Sequence, residues 1–196
     1  GQPLPVMSNY VPVLESPLFL AGLMVFAAGA ALLTLRSMGA VPRIGAGLDG
    51  AGVLRFGLNA AAVSAVVAIG AFGWSWAELP AALDGKAYYE LLFWGGGHVL
   101  QFTWTLLMFV AWLWLASDSG CPLPITPRVA LLLFLVALMS VFLTPVIYLA
   151  YGVTSVEHHR LLTWLMRFGG GLSILPIGAA VVIALARAAP AQADER

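Results

Sequence analysis

The most regular feature of the sequence is a series of five long apolar stretches separated by short polar segments. A helix needs about 20 apolar residues to cross the roughly 30 Å hydrocarbon core of a bilayer. Open strands cannot cross it, because their backbone groups would lack hydrogen-bond partners. The pattern therefore predicts an all-α integral membrane protein of about five transmembrane helices. The predicted spans cover residues 18–36, 56–78, 91–116, 129–151 and 161–187.

The segments between these stretches are short and contain the glycines and prolines that are typical of turns. They cover residues 42–52, 80–89, 118–127 and 152–159. None is long enough for a separate soluble domain, so residues 1–196 are predicted to form a single transmembrane helical domain. Because the chain begins with Gly1 rather than Met, we expect it to be part of a larger subunit or a processed chain.

Composition supports the membrane assignment and excludes several kinds of partner and site. Hydrophobic residues make up 61% of the chain and charged residues 9%, and the formal net charge is zero. There is thus no excess of basic residues that would predict a nucleic-acid partner. Cys121 is the only cysteine. This excludes an internal disulfide, a CxxC redox pair and a CxxCH haem attachment site.

The distribution of basic residues predicts the orientation, since Lys and Arg accumulate on the cytoplasmic side. With five spans, Lys86 and Arg160 lie towards the side of the N-terminus. The larger group lies on the opposite side: Arg36, Arg43, Arg55, Arg128, Arg187 and Arg196. We therefore expect a periplasmic N-terminus and a cytoplasmic C-terminus, as in a protein of the bacterial inner membrane.

The three histidines of the chain fall at helix ends on one side of this topology. His98 lies near the start of the third span, and His158 and His159 directly follow the fourth. Three imidazoles with an open position are a common site for reactive copper, iron or zinc. Histidines at this depth can also sit among lipid headgroups. Neighbours in a regular helix point about 100° apart, so a shared ion requires irregular backbone near His158.

The residues around these histidines resemble the catalytic subunit of haem-copper oxidases. The run YELLFWGGGH, residues 89–98, is similar to the Trp-x-x-Gly-His motif of that family's sixth helix. The run EHH, residues 157–159, resembles the paired histidines after the seventh helix. The run SILPIG, residues 173–178, is similar to the proline-containing segment of that family's eighth helix. The run NYVPVLESPLF, residues 9–19, is a weaker likeness to the opening of a preceding helix.

The resemblance implies that the five spans correspond to helices four to eight of a twelve-helix subunit. It implies that His98, His158 and His159 bind the copper called CuB. It also implies electron transport from cytochrome c or quinol, proton transport, and the other subunits of a respiratory-chain oxidase as partners. Haem would come from other segments or another chain, because no further histidine is present to bind it. Arg167 is a candidate contact for a haem propionate.

The sequence departs from the family at the position four residues after His98. Oxygen-reducing members often have a tyrosine there and nitric oxide reductases a glutamate, whereas this chain has Phe102. Some oxidases carry the active tyrosine just before the histidine pair. Tyr151, or as a second choice Tyr148, is therefore the candidate catalytic tyrosine.

Hydroxyl groups recur every four residues along the fourth span, at Ser140, Thr144 and Tyr148. This spacing places them on one face of a helix. They are candidates for a proton path that leads to the metal, although such hydroxyls also bond to helix carbonyls or join helices.

The sequence thus predicts the copper-binding part of an oxidoreductase that reduces dioxygen to water within the membrane. Without haem ligands, it is not expected to be active alone. A nitric oxide reductase with non-haem iron in the same site is an alternative, as is a metal-free, non-catalytic membrane subunit. A small transporter is disfavoured, because no inverted repeat is evident.

Overall fold

The computed structural model describes residues 5–40 and 49–194, with backbone alone for residues 189–194. Arg43 and Arg196, which entered the predicted orientation, lie outside the described residues. In chain order the elements are β1 (Pro5–Val6), β2 (Val13–Leu14), α1 (Pro17–Gly39), α2 (Gly50–Glu78), α3 (Gly85–Asp118), α4 (Pro127–Val141), α5 (Leu143–Ala150), α6 (Val156–Gly169) and α7 (Gly171–Asp194).

The described chain contains five helical spans that are long and apolar enough to cross a membrane, which confirms the predicted fold class at this level. They are Pro17–Gly39, Gly50–Glu78, Gly85–Asp118, Pro127–Ala150 and Val156–Ala188. The fourth span combines α4 with α5, and the fifth combines α6 with most of α7. The second, third and fifth spans begin earlier than the apolar stretches that predicted them.

Polar residues at the helix starts explain why several helices extend beyond their apolar stretches. The side chain of Asp49 accepts a hydrogen bond from the backbone N–H of Gly52 at 2.7 Å. Ser16 and Ser155 cap α1 and α6 in the same way. Each side chain accepts a hydrogen bond from the backbone N–H of the residue three positions later. Such caps satisfy N–H groups that have no partner within the helix, so the helix can begin in the polar region.

Two spans are broken near their middle. α4 ends at Val141 and α5 begins at Leu143. Pro145 explains this break, because a proline lacks an N–H and its ring crowds the carbonyl four residues earlier, which belongs to Val141. The second break separates α6 from α7 at Gly170, within a run of three glycines, the residue with the lowest helix propensity after proline.

A short hairpin at the N-terminus was not predicted. β1 and β2 pair antiparallel, with Val6 opposite Val13, and Val13 is fully buried. The segment between them contacts the start of α3, where Asn9 Nδ2 donates to Glu90 Oε2 at 2.7 Å and the Asn9 N–H to Oε1 at 3.2 Å. The hairpin therefore covers the end of the bundle at which α3 begins.

The most extensive helix packing joins α2 to α3. α2 presents small buried residues at helical spacing, which let the two backbones approach closely. Within this interface Thr103 Oγ1 donates to Ser64 Oγ at 3.0 Å. The small buried residues of α2 are Gly57, Ala60, Ala61, Ser64, Ala68, Ala71 and Ser75.

The main hydrophobic core lies in the half of the bundle remote from the hairpin. It brings Leu106 and Phe109 of α3 against Phe134 of α4 and Ile177 of α7, and all four side chains are fully buried. α1 contributes no buried residue and contacts mainly α2. Its apolar surface is suited to lipid, as a membrane span requires.

Replacing Gly57 with alanine is expected to destabilise the bundle by about 1–3 kcal/mol, the usual range for overpacking. A Cβ at this position would lie 2.6 Å from both a Phe134 ring carbon and a Val110 methyl. Thermal unfolding of the purified protein in detergent, followed by circular dichroism, measures the change. Gly22→Ala on α1 is the matched control, because nothing lies within 4 Å of its Cβ position. Equal effects of the two substitutions would contradict the described α2–α3–α4 packing.

Candidate metal centre

The structure brings the three histidines to neighbouring helices at one end of the bundle. His98 lies on α3, and His158 and His159 lie in the first turn of α6, which packs against α3. His98 is 6% exposed and His158 is fully buried. The sequence-based expectation that the histidines lie on the same side of the bundle therefore agrees with the fold.

The backbone at the histidine pair is regular helix rather than irregular. The extended residue and the turn that precede α6 end at Ser155, its N-terminal cap. The ring centroids of His158 and His159 lie 5.7 Å apart, and the ring planes are at 74° to each other. The glycine-containing segment therefore precedes the pair and does not include it.

Each histidine of the pair packs against a different aromatic ring. His158 meets Tyr148 edge to face, with centroids 4.6 Å apart. His159 lies against Trp94, at a centroid distance of 4.8 Å, and His98 lies at the same distance from that indole. Trp94 is thus the common neighbour of His98 and His159.

Backbone carbonyls determine which ring nitrogen of two histidines carries the proton. His98 Nδ1 lies 2.7 Å from the carbonyl oxygen of Trp94, and His159 Nδ1 lies 2.8 Å from that of Ser155. A carbonyl only accepts, so both neutral imidazoles carry their proton on Nδ1. Nε2 then keeps its lone pair in each ring, the arrangement that metal-binding histidines commonly use.

Thr163 leaves the Nε2 lone pair of His98 available. Its hydroxyl lies 2.8 Å from the carbonyl oxygen of His159 and 3.4 Å from His98 Nε2. The hydroxyl has a single proton, which the shorter bond to the carbonyl takes. His98 therefore has a nitrogen that can accept a ligand bond without first losing a strong hydrogen bond.

His158 is the histidine of the cluster that lacks hydrogen-bond partners. Neither of its ring nitrogens has a hydrogen-bond partner among the described residues. Leaving a buried polar group unsatisfied costs about 1–3 kcal/mol. A metal ion or a water molecule at either nitrogen would remove this cost. The unpartnered imidazole of His158 is thus the observation that fits a bound ion or water molecule in this region.

The donor set suits copper, but its arrangement is not that of a closed site. Among the described residues, no three His, Cys, Asp or Glu side chains are placed so that they could hold one ion. The prediction of His98, His158 and His159 as ligands stays a prediction.

Tyr10 joins the cluster from the hairpin, although the sequence analysis did not single it out. Its hydroxyl is hydrogen-bonded to His98 Nδ1, and its ring packs edge to face on Trp94. Burial, and secondarily the charge of Glu90, raise the pKa of the Tyr10 phenol above its usual value. The hydroxyl therefore stays protonated at neutral pH. Apart from the family resemblance, nothing in the run NYVPVL, residues 9–14, indicated that Tyr10 would contact a histidine.

Three successive glycines on α3 make room for aromatic rings of the chain itself. A Cβ at Gly95 would overlap Tyr148, one at Gly96 would overlap Phe72, and one at Gly97 would overlap Tyr10. The rings come from α5, α2 and the hairpin. The glycines therefore allow three separate elements to pack closely against α3 just before His98.

The structure places Tyr148, rather than Tyr151, against the histidines. Tyr148 is 3% exposed; its hydroxyl donates to the Ala71 carbonyl oxygen at 3.1 Å and pairs with Ser75 Oγ at 2.8 Å. Tyr151 directly follows α5 and is 39% exposed. Of the two candidate catalytic tyrosines, only Tyr148 lies beside His158.

The other residues of the candidate proton path have separate environments. Ser140 donates to the carbonyl oxygen of Gly169 at 3.0 Å, which joins the two helix breaks. Thr144 is buried, and its hydroxyl has no hydrogen-bond partner among the described residues. Within the described chain no direct hydrogen bond links Ser140, Thr144 and Tyr148, so a proton path along this face would need water molecules between them.

Two further candidate residues lie outside the cluster. Arg167 is in the last turn of α6 and its side chain is exposed. Glu78, which the sequence analysis did not select, accepts from Trp74 Nε1 at 2.6 Å and from the Val153 N–H at 3.3 Å. It thereby ties the end of α2 to the turn before α6. The four-residue spacing of Trp74 and Glu78 is a signal that could have predicted their contact.

Comparisons with known proteins find similarity to a longer bacterial protein but assign no activity. No family model matches the sequence. No solved structure matches it. Over 86% of its length, the chain is 25% identical to the uncharacterized protein RP382 of Rickettsia prowazekii (strain Madrid E). The matched part is 33% of that protein, so the chain spans about a third of the length of the curated relative it matches.

Proposed function

We propose that this chain is the copper-binding part of a haem-copper terminal oxidase catalytic subunit, which reduces dioxygen to water. The observation that carries the proposal is the histidine cluster. His98 and His159 have Nε2 lone pairs fixed by Nδ1 bonds to carbonyls, and the buried His158 has two nitrogens without partners. The resemblance of the Trp94–His98 and Glu157–His159 runs to the family's copper motifs agrees with this cluster.

In the proposed site, His98, His158 and His159 bind copper through imidazole nitrogen. The bound copper would supply, together with a haem iron, the centre at which dioxygen accepts electrons. The carbonyls of Trp94 and Ser155 hold the proton on Nδ1 of their histidines, so Nε2 would be the nitrogen available to the metal. The rings of Trp94 and Tyr148 pack against the imidazoles.

Tyr148 is the better candidate for the tyrosine of this reaction, because it is buried and lies against His158. Its hydroxyl donates to the Ala71 carbonyl oxygen and is also hydrogen-bonded to Ser75 Oγ. Thr144 and Ser140 continue the proposed proton path away from the histidines. The unpartnered hydroxyl of Thr144 favours a water molecule beside it, as such a path requires.

The proposed enzyme needs other segments or subunits. All three histidines of the chain are assigned to copper, so both haems would be held elsewhere. The greater length of the Rickettsia relative agrees with a larger subunit. The exposed Arg167 side chain could meet a haem propionate from such a segment. The proposed electron donor is cytochrome c or quinol, and the proposed location is the bacterial inner membrane.

One alternative is favoured by a specific observation. Because no three ligands converge in the described chain, a metal-free membrane subunit that packs against partners is the second candidate function. A nitric oxide reductase with non-haem iron receives less support. Iron prefers an added carboxylate, and the nearby Glu78 is occupied with Trp74 and the Val153 N–H.

Copper binding tests the proposal directly. The purified chain, reconstituted with copper in detergent and then desalted, is expected to retain about one equivalent, because three imidazoles form one site. His98→Ala and His158→Ala are each expected to lose it. Metal content is measured by mass spectrometry after loading with copper and, in a parallel sample, with ferrous iron under anaerobic conditions.

Arg160→Gln is the matched control, since this exposed residue directly follows the histidine pair on α6. It is expected to retain copper at the wild-type level. A wild-type chain that stays metal-free would favour the non-catalytic subunit, and retention of iron instead of copper would favour nitric oxide reduction. Copper that survives both histidine substitutions would place the binding site elsewhere.

The proposed orientation can be tested by cysteine labelling in a Cys121→Ser background. Ala81 lies in the connection between α2 and α3, and Ser119 follows α3; both are exposed. In intact spheroplasts, a membrane-impermeant maleimide is expected to label Ala81→Cys, whereas Ser119→Cys should react only after permeabilisation. The reverse pattern would overturn the orientation, and labelling of both from one side would show that α3 does not span the membrane.

A further inference from the structure

The N-terminal hairpin is fixed against α3 at several points. Ser8 Oγ donates to the Val11 carbonyl oxygen at 2.6 Å, which closes the turn between the strands. The side chain and N–H of Asn9 both bond the carboxylate of Glu90 on α3, and Val13 is fully buried. These contacts present Tyr10, which lies between them, to one position on the helix.

That position is occupied by Gly97 and His98. The ring of Tyr10 lies where a Cβ of residue 97 would be, so only a glycine admits it. From there the Tyr10 hydroxyl reaches Nδ1 of His98, and the two rings lie 5.8 Å apart between centroids. The absence of a side chain at Gly97 is therefore what allows the hairpin to touch the imidazole.

The Tyr10 hydroxyl is a second partner of a nitrogen that already has one. His98 Nδ1 lies 2.7 Å from the Trp94 carbonyl, which requires a proton on that nitrogen. The Tyr10 oxygen can then accept from the same N–H as a shared bond. Two acceptors on different elements favour the Nδ1–H form and resist rotation of the ring more than the Trp94 carbonyl does alone.

We infer that Tyr10 is a positioning residue of the candidate metal centre: it holds the proton of His98 on Nδ1, so that the Nε2 lone pair would be available to a metal ion. In this inference Tyr10 acts through its hydrogen bond to His98 and does not itself bind the metal. The consequence for copper rests on the proposed function, whereas the consequence for the His98 ring does not. A hydrogen-bonded partner beyond the ligand typically contributes about 10–100-fold to metal affinity.

Tyr10→Phe is the direct test, because it keeps the ring on Gly97 and removes only the oxygen. With three histidines in the chain, ¹⁵N-histidine labelling gives three sets of ring-nitrogen signals, and those of His98 are identified by their loss in His98→Gln. The metal-free wild-type protein is expected to show His98 protonated on Nδ1. In Tyr10→Phe the His98 nitrogen signals should shift towards mixed protonation, while those of His158 and His159 stay unchanged.

Gly97→Ala provides a second variant that leaves both partners intact but displaces the Tyr10 ring. It is expected to change the His98 signals in the same direction as Tyr10→Phe. Tyr88→Phe and Gly73→Ala are the matched controls: Tyr88 packs on Tyr89, and nothing lies within 4 Å of a Cβ at Gly73. Both controls should leave all three histidines unchanged.

Copper titration completes the test, with Tyr10→Phe expected to bind about 10–100-fold more weakly than wild type and Tyr88→Phe equally well. Unchanged His98 signals in Tyr10→Phe, or equal copper affinity, would overturn the inference while the proposed function stands. A wild-type chain that binds no copper would overturn the proposed function, and the nitrogen signals would still decide whether Tyr10 orients His98.

Discussion

The interaction on which the candidate site depends is the bond from an imidazole Nδ1–H to a carbonyl four residues earlier. It occurs at His98 and at His159. In a membrane helix the carbonyl is already used within the helix, and its second lone pair accepts the imidazole at little cost. The helix backbone thus favours protonation of Nδ1 in two histidines before any ligand arrives, and it leaves Nε2 of each available.

The sequence predicted the spans well because their signal is local. About twenty apolar residues can cross lipid stably only as a helix, so the spans follow from composition along the chain. The side of the histidines followed from counting the spans. What the sequence could not give is the direction of each ring, since the cap at Ser155 turned the expected irregular segment at His158 and His159 into regular helix.

Contacts between distant segments were also beyond the sequence. Tyr10 meets His98 across 88 positions, and Tyr148 meets Ser75 across 73. Neither pair has a spacing signal, because each depends on how glycines of α3 admit a ring from another element. The sequence shows that residues 95–97 are glycines, but it does not indicate which three rings, Tyr148, Phe72 and Tyr10, occupy the space beside them.

The two helix breaks lie side by side, because Ser140 just before the first donates to the carbonyl of Gly169 at the second. A Cβ at Gly169 would come within 2.9 Å of both Phe102 and Ser140, so α3 closes the third side of this joint. The histidine pair lies on α6, a helix of fourteen residues. The C-terminal end of this helix is therefore held against both α4 and α3. Because α6 also contacts α3, α4 and α5 along its length, this joint is one of several contacts that fix the position of the imidazoles.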